Sequence, residues 1–244
     1  MFKASTKADV LKQVVDVVST LVDEAKFRVD KDGISLKAVD PAHVAMVELV
    51  LSKRAFDDFE GSDSELGVDM ERLEDILKLA RSGESVRLEH NEGKNLLVIK
   101  IGDLTRRMSL VDTSGMSDPK VPNIDLPTTM VLKAENLAYG IRASQTISDH
   151  IALVAEEDYF EMSSEGDADS VEYRLTKDKL TLLEAKGRVR SLFPLDYFQN
   201  MAKAISPNSD VRINLGNNYP VRIEFDIADG NGHVKYLLAP RVES

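Results

Sequence analysis

Residues 70–89 read MERLEDILKLARSGESVRLE, and residues 195–214 read LDYFQNMAKAISPNSDVRIN. Laid over one another at an offset of 125, they set Leu73 on Phe198, Ile76 on Met201, Lys78 on Lys203, Val86 on Val211 and Leu88 on Ile213. The apolar positions first recur at helical spacing and then alternate as in a strand. The match therefore runs through helix, turn and strand in one register. Beyond it, Leu96 and Val98 meet Val221 and Ile223. The front parts of the two halves match at an offset of 126, with Leu11 on Leu137, Thr20 on Thr146, Leu21 on Ile147, Asp23 on Asp149 and Ile34 on Phe160. Identity is low but the apolar pattern persists, so the chain reads as two similar domains.

The joint lies in VDTSGMSDPKVPNIDLP (111–127), which carries three prolines, a glycine and no sustained period. That is linker composition. The expected boundaries are an N-terminal domain over 1–115, a connector over 116–127 and a C-terminal domain over 128–244.

Residues 9–24 form an amphipathic pattern. Leu11, Val14, Val15, Val18, Leu21 and Val22 share one face, and Lys12, Asp16, Ser19 and Asp23 the other. Asp9 is placed to cap this helix. Strand-like runs follow at 26–29, 34–39 and 44–51, the first two joined at Asp32–Gly33. A second helix is expected over 70–81, then strands at 85–90, 95–101 and 105–111. The second half repeats the order, with helices near 135–147 and 195–205. Each half thus holds two helices and eight or nine strands. Short turns between strands favour antiparallel sheets with the helices covering one face, an α+β arrangement.

The 244 residues are 43% hydrophobic and 30% charged, which is globular composition. No apolar run approaches the ~18 residues of a membrane helix, and MFKASTKADVLKQ has no apolar signal core. Without cysteine there is neither a disulfide nor a thiolate site, as in intracellular proteins. A net charge of −11 argues against indiscriminate nucleic-acid binding and by itself points to protein partners.

Motifs for catalysis are missing. There is no phosphate-binding glycine loop, dinucleotide fingerprint or GxSxG turn. His43, His90, His150 and His233 show no ligand spacing. The acidic stretch SSEGDADS (163–170) lacks the calcium-loop pattern and reads as a solvated loop. No catalytic residue, metal or cofactor is expected.

Each helix carries a basic residue on its polar side. Lys12 lies with Asp16 and Ser19, Lys78 with Glu71 and Asp75, Arg142 with Glu135, Tyr139 and Thr146, and Lys203 with Asp196 and Asn200. A solvated helix face explains any one of them alone. A shared function requires all four on one side of the molecule.

HVKYLLAPRVES (233–244) resembles the C-terminus of the archaeal and eukaryotic sliding clamps, the proliferating cell nuclear antigen family. MFKA at the start, AVDPAHVAMVEL (38–49), GVDMERLEDILKLA (67–80), SDHIAL (148–153), SLFPLDYF (191–198) and NYPVRIEF (218–225) are similar to that family too. The resemblance covers essentially the whole chain, is strongest to archaeal members and accounts for the duplication. It implies a ring of three chains joined head to tail around duplex DNA, sheets outside and helices inside. It assigns Lys12, Lys78, Arg142 and Lys203 to the DNA side. It gives Arg106, Arg107, Tyr173 and Arg174 to the subunit contact, with Arg81 at the contact or in the hole; ordinary strand surface is the alternative. It implies a pocket for partner peptides at Val39, His43, Val44, Met46, Pro220, Ala239, Pro240 and Arg241, of which all but His43 and Arg241 also fit core or turn roles. The implied partners are DNA polymerase, clamp loader, flap endonuclease, DNA ligase and further copies of the chain, without a membrane. The compartment would be the cytoplasm beside the nucleoid in an archaeon and the nucleus in a eukaryote.

The sequence also departs from that family. Gln13, Ser19, Asp75 and Thr146 stand where relatives often carry basic residues. A ring of this chain is therefore expected to hold DNA more weakly by charge and to rely on enclosure. A subunit of a heterotrimeric clamp is the alternative reading. A carboxylate-and-metal enzyme belongs to another class, and turnover abolished by a point mutation would identify it.

Overall fold

The computed structural model describes residues 1–116 and 118–241. The first half contains β1 (Phe2–Lys7), α1 (Ala8–Ser19), β2 (Glu24–Val29), β3 (Gly33–Val39), β4 (Ala45–Ser52), β5 (Asp58–Gly61), β6 (Ser64–Asp69), α2 (Met70–Leu77), β7 (Ser85–Asn91), β8 (Leu96–Ile101) and β9 (Leu104–Ser109). The second half repeats the series as β10 (Thr128–Lys133), α3 (Ala134–Ser144), β11 (His150–Ala155), β12 (Tyr159–Glu165), β13 (Ser170–Thr176), β14 (Leu182–Glu184), β15 (Val189–Pro194), α4 (Leu195–Lys203), β16 (Asp210–Leu215), β17 (Val221–Ile227) and β18 (Gly232–Leu238).

Two compact units result. The first comprises residues 1–41, 46–120 and 226–234; the second comprises 42–45, 121–225 and 235–244. In the first unit β5-β1-β7-β8-β9 form one antiparallel sheet, and β4-β3-β2-β6 line up in a second. In the second unit β14-β10-β16-β17 and β13-β12-β11-β15 stand in the same orders. The last strand, β18, starts in the first unit and ends in the second.

The duplication extends to single hydrogen bonds. Met70 N donates to Asp23 O at 2.9 Å, and Leu195 N to Asp149 O at 2.9 Å. Ala8 N donates to Glu84 O at 2.8 Å, and Ala134 N to Ser209 O at 2.9 Å. Each bond fixes the first residue of a helix to the chain of its own unit, where helical N–H groups have no partner within the helix.

The helices form because their apolar stripes are buried. α1 buries Ala8, Leu11, Val14, Val15, Val17 and Val18. Valine is a mediocre helix former, so tertiary burial rather than propensity holds this segment. α1 packs on α2 and β1, and α2 on β6; α3 packs on α4 and on β10 to β13. Within α3, Gly140 lets the helix sit directly on the sheet. A Cβ there would meet Met162 Cε at 2.5 Å and Tyr173 Cδ1 at 3.2 Å.

Two local expectations change. α1 ends at Ser19, not 24, because Leu21 N turns back to Val18 O at 3.1 Å and β2 begins at Glu24. Asp9 does not cap its own helix. It lies in the first turn, and its carboxylate accepts Gly83 N at 2.6 Å, which holds the acid below its ordinary pKa. Among the described residues, no helix is long and apolar enough to cross a membrane.

Candidate functional site

The polar side of the first unit's helix layer is densely paired. Lys12 Nζ donates to Ala80 O at 2.9 Å, just past the end of α2. α2 is capped by Asp69, whose carboxylate accepts Arg72 N at 3.0 Å and pairs with the Arg72 guanidinium at 3.0 Å. Lys78 Nζ lies 2.9 Å from Glu74 and 3.1 Å from Asp75, and hydrogen bonds to the two acids raise its pKa. Asp16 is exposed on α1; partial desolvation first, and Glu74 second, push its pKa up. Gln13 Oε1 accepts Ala228 N at 2.9 Å.

The second unit's layer is sparsely paired. Arg142 is exposed on α3, and its guanidinium makes no hydrogen bond or ion pair among the described residues. Among the described residues, Lys203 Nζ reaches only the amide oxygen of Asn200, at 3.5 Å.

β9 and β13 each end a sheet, so among the described residues each has one unpaired edge. Such edges are templates for pairing with another chain. Arg106 and Arg107 stand exposed on β9. On β13 the two expected contact residues are already engaged within the chain. Arg174 grips Glu161 through Nε at 2.9 Å and Nη2 at 2.6 Å, and its guanidinium lies 4.1 Å from the Tyr159 ring centroid. Tyr173 packs against Tyr139 at 4.9 Å and donates to Asn136 Oδ1 at 3.1 Å; burial raises its phenol pKa. Tyr139 is 54% exposed, and with Asn136 it is a neighbour of the edge that sequence reasoning missed. Gly140 inside an amphipathic helix was the available signal. Arg81 is exposed in the turn after α2, where its N–H donates to Glu84 Oε2 at 2.9 Å.

The residues expected around a peptide pocket fall into two local groups. In the first unit Val39 and Met46 are cross-strand partners in the β3–β4 pair, and Met46 is buried. In the second, Ala239 N donates to Val44 O at 2.9 Å, and Arg241 N to Leu192 O at 2.7 Å. Pro220 and Pro240 are half-buried. His43 takes a left-handed φ of 57° in the turn before Val44. The Arg241 side chain lies against His150 and lines a polar cavity of about 620 Å³ with Arg190 and Glu165. Among the described residues, no group of three or more His, Cys, Asp or Glu could hold a metal.

Comparison with known proteins fits this geometry. The proliferating cell nuclear antigen N-terminal domain matches residues 1–114, and the C-terminal domain matches residues 120–241. A DNA polymerase sliding clamp of Methanocella arvoryzae is 45% identical over 100% of both chains, and that of Methanococcoides burtonii is 43% identical over the same full lengths. The A. fulgidus PCNA solved with the C-terminal region of FEN-1 bound superposes with a TM-score of 0.94 at 32% identity, covering 100% of both chains.

Proposed function

This chain belongs to the proliferating cell nuclear antigen family and is a DNA polymerase sliding clamp, and from that premise we propose that three copies close into a ring around duplex DNA. One observation carries the proposal: of the six strands that end a sheet, β5 and β14 are four residues or fewer and β6 and β15 carry a further bridge, which among the described residues leaves β9, with six residues, and β13, with seven, as the two long open edges. An antiparallel β9–β13 contact between successive copies is heterologous, and three such contacts close the ring. Arg106 and Arg107 on one edge would meet the exposed Glu172 and the Tyr139–Tyr173 pair on the other. Arg81 lies beside this contact, and Arg174 shapes the edge through Glu161 rather than reaching across.

The four helices of each chain face the duplex, where those cations that the chain's own acids leave unpaired contact phosphates without reading bases and permit sliding. The chain contributes no catalytic step. It tethers polymerase, flap endonuclease and ligase, and a loader opens the ring. The tethered peptides insert an apolar helical turn at Val39, His43, Val44, Met46, Pro220, Ala239, Pro240 and Arg241. The domains run over 1–115 and 128–244 with the connector at 116–127, and the protein works in the cytoplasm beside the nucleoid.

Light scattering tests the ring. The expected mass is three times 27.1 kDa, and a monomer at micromolar concentration in low and high salt would remove the homotrimer. For the pocket, Met46→Ala combined with Pro240→Ala should weaken peptide binding about tenfold, roughly one anchoring side chain's worth, with the mass unchanged. Equal affinities by calorimetry would refute the assignment.

A further inference from the structure

The helices of the two units are built alike and charged unlike. At the offset of 125, Lys78 falls on Lys203, Asp75 on Asn200 and Glu74 on Gln199. At the offset of 126, Asp16 falls on Arg142 and Lys12 on Ala138. Three acids of the first unit's layer are therefore two neutral amides and one guanidinium in the second. The structure gives these substitutions their meaning. Lys78 is bracketed by Glu74 and Asp75, whereas among the described residues Lys203 touches only the uncharged Asn200. Asp16 faces Glu74 across the α1–α2 contact, and its counterpart Arg142 is unpaired among the described residues.

Net sign decides which layer attracts phosphate. Lys78 with Glu74 and Asp75 carries −1, and Lys203 with Gln199 and Asn200 carries +1. Exposed ion pairs are weak, so Lys78 can leave its acids. Doing so leaves two carboxylates beside the DNA backbone. Lys12 is no substitute, because its ammonium is held on the Ala80 carbonyl and its charge is offset by the carboxylates of Asp9 and Asp16 on the same helix.

We propose that the electrostatic hold on duplex DNA resides in the α3–α4 layer of the second unit, through Arg142 and Lys203, while the α1–α2 layer of the first unit is electrostatically closed and contributes little. The proposal rests on the sliding-clamp reading and locates the phosphate contacts within it. Each chain grips with one helix pair and spaces with the other.

Fluorescence anisotropy tests this with the assembled full-length protein, a dye-labelled blunt duplex of arbitrary sequence and a salt series. Arg142→Ala with Lys203→Ala removes six cations from the three-chain ring, so it should weaken binding at low salt by about tenfold or more and flatten the log K against log salt slope by as much as about 5. Lys12→Met with Lys78→Ala should change affinity by less than about twofold. Glu74→Gln with Asp75→Asn writes the α4 pattern onto α2, frees one Lys78 in each of three copies and should tighten binding several-fold, steepening the slope by as much as about 3. This last pair gains affinity, so misfolding cannot imitate the expected result. Equal losses from the two cation pairs, or no gain from the amide pair, would overturn the proposal and leave the clamp standing. A wild-type protein with no trimer mass and no duplex affinity would overturn both.

Discussion

Lys12 Nζ donates to the carbonyl oxygen of Ala80 at 2.9 Å, joining α1 to the end of α2. Ala80 lies three residues past Leu77, in the turn by which the chain leaves α2, so its carbonyl is outside the helical ladder. The ammonium satisfies that acceptor and ties α1 to the turn. Lys12→Met keeps the aliphatic stem and removes the donor. It should lower stability by about 1 kcal/mol, read as a fall in thermal midpoint of a few degrees. An unchanged midpoint would show that water replaces the ammonium at no cost.

His90 gives the first unit a pH dependence. Its two ring nitrogens are sealed from solvent without a hydrogen-bond partner among the described residues, and burial lowers its pKa from 6.5. The unfolded chain therefore binds a proton at a pH where the folded chain does not. Stability from this group is complete above pH 6.5 and falls as pH drops through 6.5 toward the lowered folded value. The residue is partly solvated, so the loss should stay below about 1 kcal/mol. His90→Leu should flatten the urea-midpoint profile between neutral and mildly acidic pH. An equal slope in the variant would place the titrating group elsewhere.

Asp16 has the opposite sign. Its folded pKa is raised above 3.8, by burial first and Glu74 second. The folded state holds its proton to higher pH than the unfolded state, so stability falls as pH rises through that window and stays lower at neutrality. Asp16→Asn should be more stable by roughly 0.5 kcal/mol at neutral pH, after allowing for solvent screening. The gain should vanish in acid below the unfolded value. A destabilised variant would mean that the carboxylate makes a compensating bond.

What could be read from the sequence was whatever repeats or has a period. The two halves, the α2 and α4 registers and the antiparallel strands follow from side-chain periodicity, which is local. β5 and β14 escaped because they are short, with four and three residues, and β5 carries acids that mask any alternation; β1, β6, β10 and β15, six residues each, were not read as strands either. Asp9 was misread as a cap because the group it serves, Gly83 N, is 74 positions away. Arg174 was correctly placed on an edge strand, but its grip on Glu161 depends on the β12–β13 register. The charge contrast between α2 and α4 was visible at the same offset that revealed the duplication. Its consequence needed the distances from Lys78 to Glu74 and Asp75.

The start of the connector is held to β2 by charge. Lys26 is only 10% exposed at its side chain; its Nζ donates to Met116 O at 2.7 Å and pairs with Asp118 at 3.2 Å. Arg28 also pairs with Asp118, and Glu65 lies 3.4 Å from Arg28. Asp118 thus neutralises two cations, and the nearest other acid stands 3.8 Å from Lys26. Asp118→Asn leaves a largely buried ammonium without its closest carboxylate, a change that costs about 1–3 kcal/mol locally. The cost should appear as release of the strap rather than unfolding, because Met116 and Asp118 lie in irregular chain outside the sheets. Amide exchange should rise about tenfold or more across 112–120, the ratio that such a cost implies, while strands β7 to β9 keep their protection. Raising salt should mimic the substitution in the wild type, because the Arg28 pair is solvent-exposed and open to screening. Protection that is equal in wild type and variant at every salt concentration would show that packing, not charge, holds the connector to β2.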